Sequence, residues 1–228
     1  MARTVILLTQ PWSELPLEQL AQKAGEWGYQ GLELACAGDH FEVQRAQGED
    51  EYCQARLDLL ARHDLGCPVL STHRLGQAVG DIVAARHQAV VPDYVWGDGD
   101  VDSVPERAAE EMMSAIRAAQ KLGAEVASGW TGSPVWPLQC SAVPASVEDL
   151  RAGFEEFARR WTPILDACRD AGVRYAALVQ PGQIAFDLTS AELALEALGG
   201  REEFGFALDP GQLHWQGLDP VVLVRRFP

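Results

Sequence analysis

The chain has 228 residues, 47% hydrophobic and 22% charged, which suits one soluble globular domain with ample material for a core. Its formal net charge of −15 repels phosphate backbones at long range and argues against nucleic-acid binding. No run of about 18 apolar residues offers a membrane span, and the first residues lack a signal-peptide layout. Five cysteines (Cys36, Cys53, Cys67, Cys140 and Cys168) without close pairing are expected as free thiols in a reducing cytoplasm.

In chain order, residues 5–9 read as a first strand. Leu17, Leu20, Ala21, Ala24 and Trp27 then recur at helical spacing, and Gly28 ends that helix. A second strand is expected over 32–36, a helix around Leu57, Leu60 and Ala61, and a third strand over 68–71. A long excursion over 75–105, rich in Gly, Asp and aromatics, is expected to be irregular. Ala109, Met112, Met113, Ile116 and Ala119 mark the apolar face of a helix that stops before Gly123. The fourth strand, over 125–128, leads into a second aromatic loop, 129–137. Ser146 and Asp149 read as N-cap and third position of a helix through Leu150, Phe154, Phe157, Trp161, Ile164 and Leu165, kinked at Pro163.

The fifth strand, 175–179, runs into Gln180, Pro181 and Gly182. Thr189 and Glu192 read as a capping box for a short helix that Gly199 and Gly200 end. The sixth strand, 204–208, stops abruptly at Asp209 and Pro210, and Asp219 with Pro220 starts one more helix. Runs of apolar residues ending in polar ones are the pattern of strands buried on both faces, with ligand chemistry at their C-terminal ends. The strand–helix alternation predicts a parallel α/β sheet with right-handed crossovers. Both long loops follow strands, so both are expected over the same end of that sheet.

The segments Gly31-Leu32-Glu33-Leu34-Ala35-Cys36-Ala37-Gly38-Asp39-His40-Phe41, Ser71-Thr72-His73, Gly76-Gln77-Ala78-Val79, Val95-Trp96-Gly97-Asp98-Gly99-Asp100, Gly129-Trp130-Thr131-Gly132-Ser133 and the 174–187 and 204–217 pair resemble the xylose-isomerase-like TIM barrels, the sugar phosphate isomerase/epimerase superfamily. The resemblance runs through most of the chain. It implies a TIM-barrel-like (β/α) barrel forming a single domain over 1–228 and truncated to about six βα units, where a closed barrel has eight. It also implies a divalent cation held by a glutamate, an aspartate, a histidine and a second glutamate from the last four strands, with the glutamates moving a proton beside a carbonyl. Transferred residue by residue, the aspartate is Asp209. The first glutamate falls on Leu178. Histidine and glutamate positions of related branches fall on Gln180, Gln183 and Gln212, and strands seven and eight would lie beyond Pro228. No cofactor is therefore expected. A divalent metal (Mn, Mg or Zn) is expected only if the site is rearranged or completed by another chain.

The remaining candidates follow from residue chemistry. His73, at the end of strand three, is a candidate acid/base, with Asp209, Asp39 and His40 as further catalytic candidates on the same face. Arg74, Trp96, Asp98, Trp130, Gln180, Gln183 and Gln212 are candidate substrate contacts, Arg74 for a carboxylate or phosphate and the tryptophans as a lid or stacking wall. His214 is expected behind the site, and Cys36 is expected to be an inert thiol. Two readings stand. One is an enzyme that isomerises, epimerises or eliminates on a small polyol or keto compound without the full metal site. The other is a catalytically silent ligand-binding barrel or a subunit of a complex. Six strands also leave two bare edges. The sheet closes at higher tilt, or loops cover it, or a second copy or partner subunit does.

Overall fold

The computed structural model describes residues 4–139 and 141–227, so Cys140 and Pro228 lie outside the described residues. Six strands form one parallel sheet in chain order: β1 (Ile6–Leu8), β2 (Gly31–Ala35), β3 (Gly66–Ser71), β4 (Val126–Gly129), β5 (Arg174–Leu178) and β6 (Phe204–Ala207). Each starts and ends within two residues of the segment read from the sequence. Among the described residues β1 and β6 do not pair with each other, so of the three alternatives the sheet does not take closure at higher tilt and stays open with two edges.

The helices are α1 (Leu17–Glu26), α2 (Val43–Gly48), α3 (Tyr52–Ala61), α4 (His73–Gly80), α5 (Asp93–Trp96), α6 (Val104–Lys121), α7 (Trp136–Gln139), α8 (Val147–Ala171), α9 (Leu188–Ala197), α10 (Pro210–Trp215) and α11 (Pro220–Arg226). Side chains alternate across a strand, and the registers sort them cleanly. Leu32, Leu34, Leu70, Ala127, Tyr175 and Phe204 are buried on the helix-covered face. There Trp161 of α8 packs on Tyr175 with ring centroids 4.7 Å apart, and Phe157 meets Phe204 edge-on. The opposite, concave face carries Glu33, Val69, Ser71, Ser128, Ala176 and Leu178. Of these, Glu33, Val69, Ala176 and Leu178 are only half-buried.

Several local expectations are corrected. The excursion over 75–105 contains α4, a 3₁₀ turn (Ala85–Ala89) and α5. Gly76 and Gly80 disguise α4 as loop, and they are there because the helix packs on backbone. A methyl at 76 would overlap the Trp130 carbonyl oxygen, and one at 80 the Thr131 carbonyl. α9 is capped by Asp187, whose carboxylate accepts from Ser190 N–H at 2.8 Å, rather than by Thr189 with Glu192. α8 includes Pro163 and starts at the expected Ser146–Asp149 cap. α2 and α10 were not anticipated, and Asp209 is the N-cap of α10.

Candidate functional site

The C-terminal ends of β2, β3 and β4 bring a polar cluster onto the concave face. Ser71 ends β3 and pairs in register with Ala35 of β2 and Ser128 of β4. Glu33 lies one layer lower, in register with Leu8 and Val69. Its side chain reaches across β3, and the Ser128 hydroxyl donates to its Oε1. Ser71 Oγ lies 2.6 Å from His73 Nδ1. His73, the first residue of α4, is 6% exposed and stands edge-on to Trp130 at 5.3 Å between centroids.

The loop carrying Trp130 is held by several hydrogen bonds. The Tyr175 hydroxyl donates to its carbonyl at 2.8 Å. Gln183 Oε1 accepts from Thr131 N–H at 2.7 Å and Gly132 N–H at 2.9 Å. Gln183 Nε2 donates to Gln77 Oε1 of α4 at 2.7 Å, and Trp161 Nε1 donates to the Thr131 carbonyl at 3.2 Å. Gly132 adopts φ +64°, a left-handed conformation that costs glycine little. The loop after β4 is thus fixed backbone-first, and it holds the indole against His73.

Burial sets the electrostatics of the cluster. Desolvation raises the Glu33 carboxyl above its ordinary value, and the Ser128 hydrogen bond pulls it partly back. Desolvation alone lowers His73 to about 4, so its imidazole is neutral at pH 7. Among the described residues, the sealed side-chain atoms without a partner are His40 Nδ1 and His63 Nε2. Glu33 Oε2 and His73 Nε2 carry no hydrogen bond among the described residues. A cleft of about 10 Å³, room for about one water, opens beside Ala35, Ser71 and His73.

The other sequence-derived residues are placed as follows. Asp39 is exposed; its Oδ2 accepts from Leu17 N–H at 2.8 Å, and Oδ1 lies 3.8 Å from Arg56. His40 is fully buried, with Nε2 donating to the Leu15 carbonyl at 2.9 Å. Arg74 is exposed beside His73 and forms no ion pair among the described residues. Trp96 is buried in the core on α5, and its carbonyl accepts from Arg107 at 2.7 Å. Asp98 is exposed, 3.8 Å from Arg107. Gln180 is half-buried in the turn after β5, with its backbone N–H on the Ala185 carbonyl at 3.2 Å. Gln183 is buried in the clamp on Trp130. Gln212 and His214 are exposed on α10. The structure therefore brings together His73, Trp130 and, by way of the clamp, Gln183. It adds Glu33, whose signal was one acid in an otherwise apolar strand. The described cysteines are free, and burial pushes the Cys36 thiol up and Cys67 up to about 12.

The ends of β5 and β6 do not suit a divalent cation. At β5 and β6 the available side chains are Leu178, Gln180, Asp209 and Gln212. Asp209 Oδ1 already accepts from Gly211 N–H at 2.8 Å and Gln212 N–H at 3.1 Å. One engaged carboxylate among neutral amides and an alkyl group does not fit a hard cation, which takes several oxygen ligands. Among the described residues, no group of three or more His, Cys, Asp or Glu could hold a metal ion. No helix there is long and apolar enough to cross a membrane. A larger cavity, about 620 Å³, lies elsewhere: at the start of β5 and along the β6 edge, beside Arg174, Phe206 and Phe227.

Comparison with known proteins fits this architecture. No curated protein matches the chain. Among solved structures, it superposes on a probable 3-DHS dehydratase, AsbF, involved in petrobactin synthesis from Bacillus anthracis. There the TM-score is 0.67 at 17% identity, over 99% of this chain and 69% of that one. An L-ribulose 3-epimerase gives 0.64 at 18%, over 100% and 67%. The 3-keto-D-glucoside 4-epimerase YcjR from E. coli gives 0.69 at 9%, over 99% and 75%. The chain thus spans about two thirds to three quarters of the length of these proteins. The profile described as "Xylose isomerase-like TIM barrel" matches residues 21–227, and the chain belongs to that family.

Proposed function

We propose that the protein binds a small polyol or keto compound on the concave face and moves a proton on it, as an isomerase, epimerase or lyase without the family's full metal site. The observation that carries this is the pairing of Glu33 with Ser128 and of Ser71 with His73, on strands whose Ser71 and Ser128 are in register, with His73 edge-on to Trp130 at the C-terminal end of the sheet. Hydroxyls, a carboxyl and a neutral imidazole are the groups that recognise polyol oxygens. The activities of the fold neighbours, two sugar epimerases and a probable dehydratase, support the same reading. Arg74, Gln180, Asp209 and Gln212 stand at the same strand ends and are assigned to its rim. Asp39 and His40 are assigned to holding the loop after β2. Trp96 and Asp98 are assigned to bracing α5 against α6.

A second reading, a silent ligand-binding barrel, is favoured by one set of observations. Asp209 and Gln183, at positions where the family carries functional residues, are engaged by backbone N–H groups. Crystals soaked with small polyols and keto sugars in EDTA test both. Density over Ser71 and Ser128, together with turnover of the same compound in solution, supports the enzyme. Density without turnover supports the silent barrel. No density on the concave face rejects both. The reducing-compartment cysteines favour the cytoplasm. The open β1 and β6 edges favour a second copy or a partner subunit as their cover.

A further inference from the structure

We propose that the protein carries an aromatic-ring site beside the strand ends: a cavity between the loop after β2 and the segment from α4 to α5 takes the single ring of an aryl carboxylate, whose carboxylate reaches the cleft beside His73 and Arg74. The placement of the carboxylate rests on the reading of the strand ends as a ligand site; the ring site does not.

Size and lining carry the ring. The cavity has a volume of about 170 Å³. An apolar protein cavity of about 150 Å³ stays dry and binds benzene, so this space matches one ring. Its walls include Cys36, Phe41, Val43, Leu75, Pro92 and Tyr94. Phe41, Val43 and Leu75 are at most 3% exposed, and Phe41 packs on Tyr52 at 5.5 Å between centroids, so the core holds these walls in place. Burial pushes the Cys36 thiol up, so it lines the cavity uncharged. The polar groups at the rim are engaged elsewhere: Gln44 Nε2 donates to Glu111 Oε2 at 2.6 Å, and Glu42 pairs with Arg45 at 3.4 Å. What the cavity offers a ligand is apolar surface.

Tyr94 is the wall that selects a flat ring. It is 51% exposed, yet its hydroxyl donates at 2.6 Å to Oε1 of Glu111, which is only 5% exposed. A buried carboxylate thus fixes the tip of a ring that is half uncovered. Holding the phenol in this way lowers the ordering cost of binding before a ligand arrives, and an aromatic wall favours an aromatic partner over an alkyl one.

The neighbouring cleft places the charge. It shares Cys36, Ala37, Leu75 and Pro92 with the cavity, so the two lie side by side. Its volume of about 10 Å³ admits one water or one carboxylate oxygen. Burial keeps His73 neutral at pH 7, which leaves Arg74 as the charged side chain among those lining the cleft. Arg74 is exposed and forms no ion pair among the described residues, and a guanidinium in that state pairs with a carboxylate.

The test titrates phenylacetate into the whole labelled chain and follows the Tyr94 and His73 rings by NMR. Phenylacetate is expected to move both in one saturable transition. Acetate, which has no ring, and cyclohexylacetate, whose ring is puckered, are expected to bind at least about 10-fold more weakly. Followed at His73, Y94A, which removes the wall, and A37L, which fills the shared lining, are each expected to weaken phenylacetate at least about 10-fold. R74Q is expected to weaken phenylacetate and to leave benzyl alcohol unchanged. Equal binding of phenylacetate and acetate overturns the ring site, as does unchanged affinity in a folded Y94A or A37L. Movement of Tyr94 with His73 still, or no effect of R74Q, overturns the placement of the carboxylate. Shifts at His73 with 1,3-dihydroxyacetone but none at Tyr94 with phenylacetate overturn the ring site and leave the strand-end reading standing. No movement of either ring with any of these probes rejects both.

Discussion

Replacing His73 changes how stability responds to pH. In the folded protein, burial against Trp130 and α4 holds the imidazole at about 4, against an ordinary value of 6.5. The folded-state value is depressed, so the unfolded chain binds the extra proton. The contribution of this group is complete above pH 6.5 and is lost as pH falls from 6.5 toward 4. Each pH unit in that window is worth about 1.4 kcal/mol, so roughly 3 kcal/mol is lost across it and about 2 kcal/mol by pH 5.0. Many of the 33 acidic side chains also titrate at low pH, so the readout is a difference. Urea unfolding of the wild type and H73N is measured at pH 7.5, 6.5, 5.5 and 5.0. H73N keeps an acceptor for the Ser71 hydroxyl but has nothing to protonate. It is less stable than the wild type at pH 7.5, and the gap narrows by about 2 kcal/mol at pH 5.0. A gap that stays constant with pH refutes the burial argument. So does an NMR titration placing His73 near 6.5.

Other perturbations address the scaffold. Gly76→Ala drives a methyl into the Trp130 carbonyl, and neither backbone segment is free to move, so a loss of about 3 kcal/mol or more is expected in urea unfolding. Gly48→Ala, in the open on α2, is instead neutral or slightly stabilising by up to about 1 kcal/mol. Asp209→Ala removes the cap of α10 and is expected to cost about 1 kcal/mol. Elemental analysis is expected to show substoichiometric manganese and zinc before and after that change; one metal per chain lost with Asp209 contradicts the assignment of its carboxylate. Light scattering at tens of micromolar is expected to give more than one chain per particle, and a strictly monomeric, soluble protein rejects the covered-edge reading.

The strands were legible because burial on the helix face demands apolar runs: Leu32, Leu34 and Leu70 on one face and Tyr175 and Phe204 beneath α8 leave no alternative period. The long helices were legible for the same reason, through the spacing of Met112 and Ile116 or Phe157 and Trp161. α4 was not, because Gly76 and Gly80 carry a packing message that a single sequence reads as a breaker. α10 was hidden behind Asp209, whose neighbours Pro210 and Gly211 resemble a turn and whose carboxylate looked like a ligand. At the site, His73 and Trp130 were visible as polar and aromatic residues just after strands. Gln183 was visible but misassigned in kind: it acts on backbone N–H groups through a loop 52 residues away in sequence, a contact no local pattern encodes. Glu33 was in plain view within an apolar strand. Its importance depends on Ser128, 95 residues away, lying two strands across the sheet.

The most direct measurement of the central claim is where a small polyol or keto compound binds when metal is absent. With EDTA present, ligand is titrated into labelled protein while the Trp130 indole, the His73 ring and the Phe206 and Phe227 rings are followed. The account predicts saturable shifts at Trp130 and His73, with Phe206 and Phe227 unchanged. Shifts confined to Phe206 and Phe227, in the larger cavity along the β6 edge, or no saturable shift at all, contradict it.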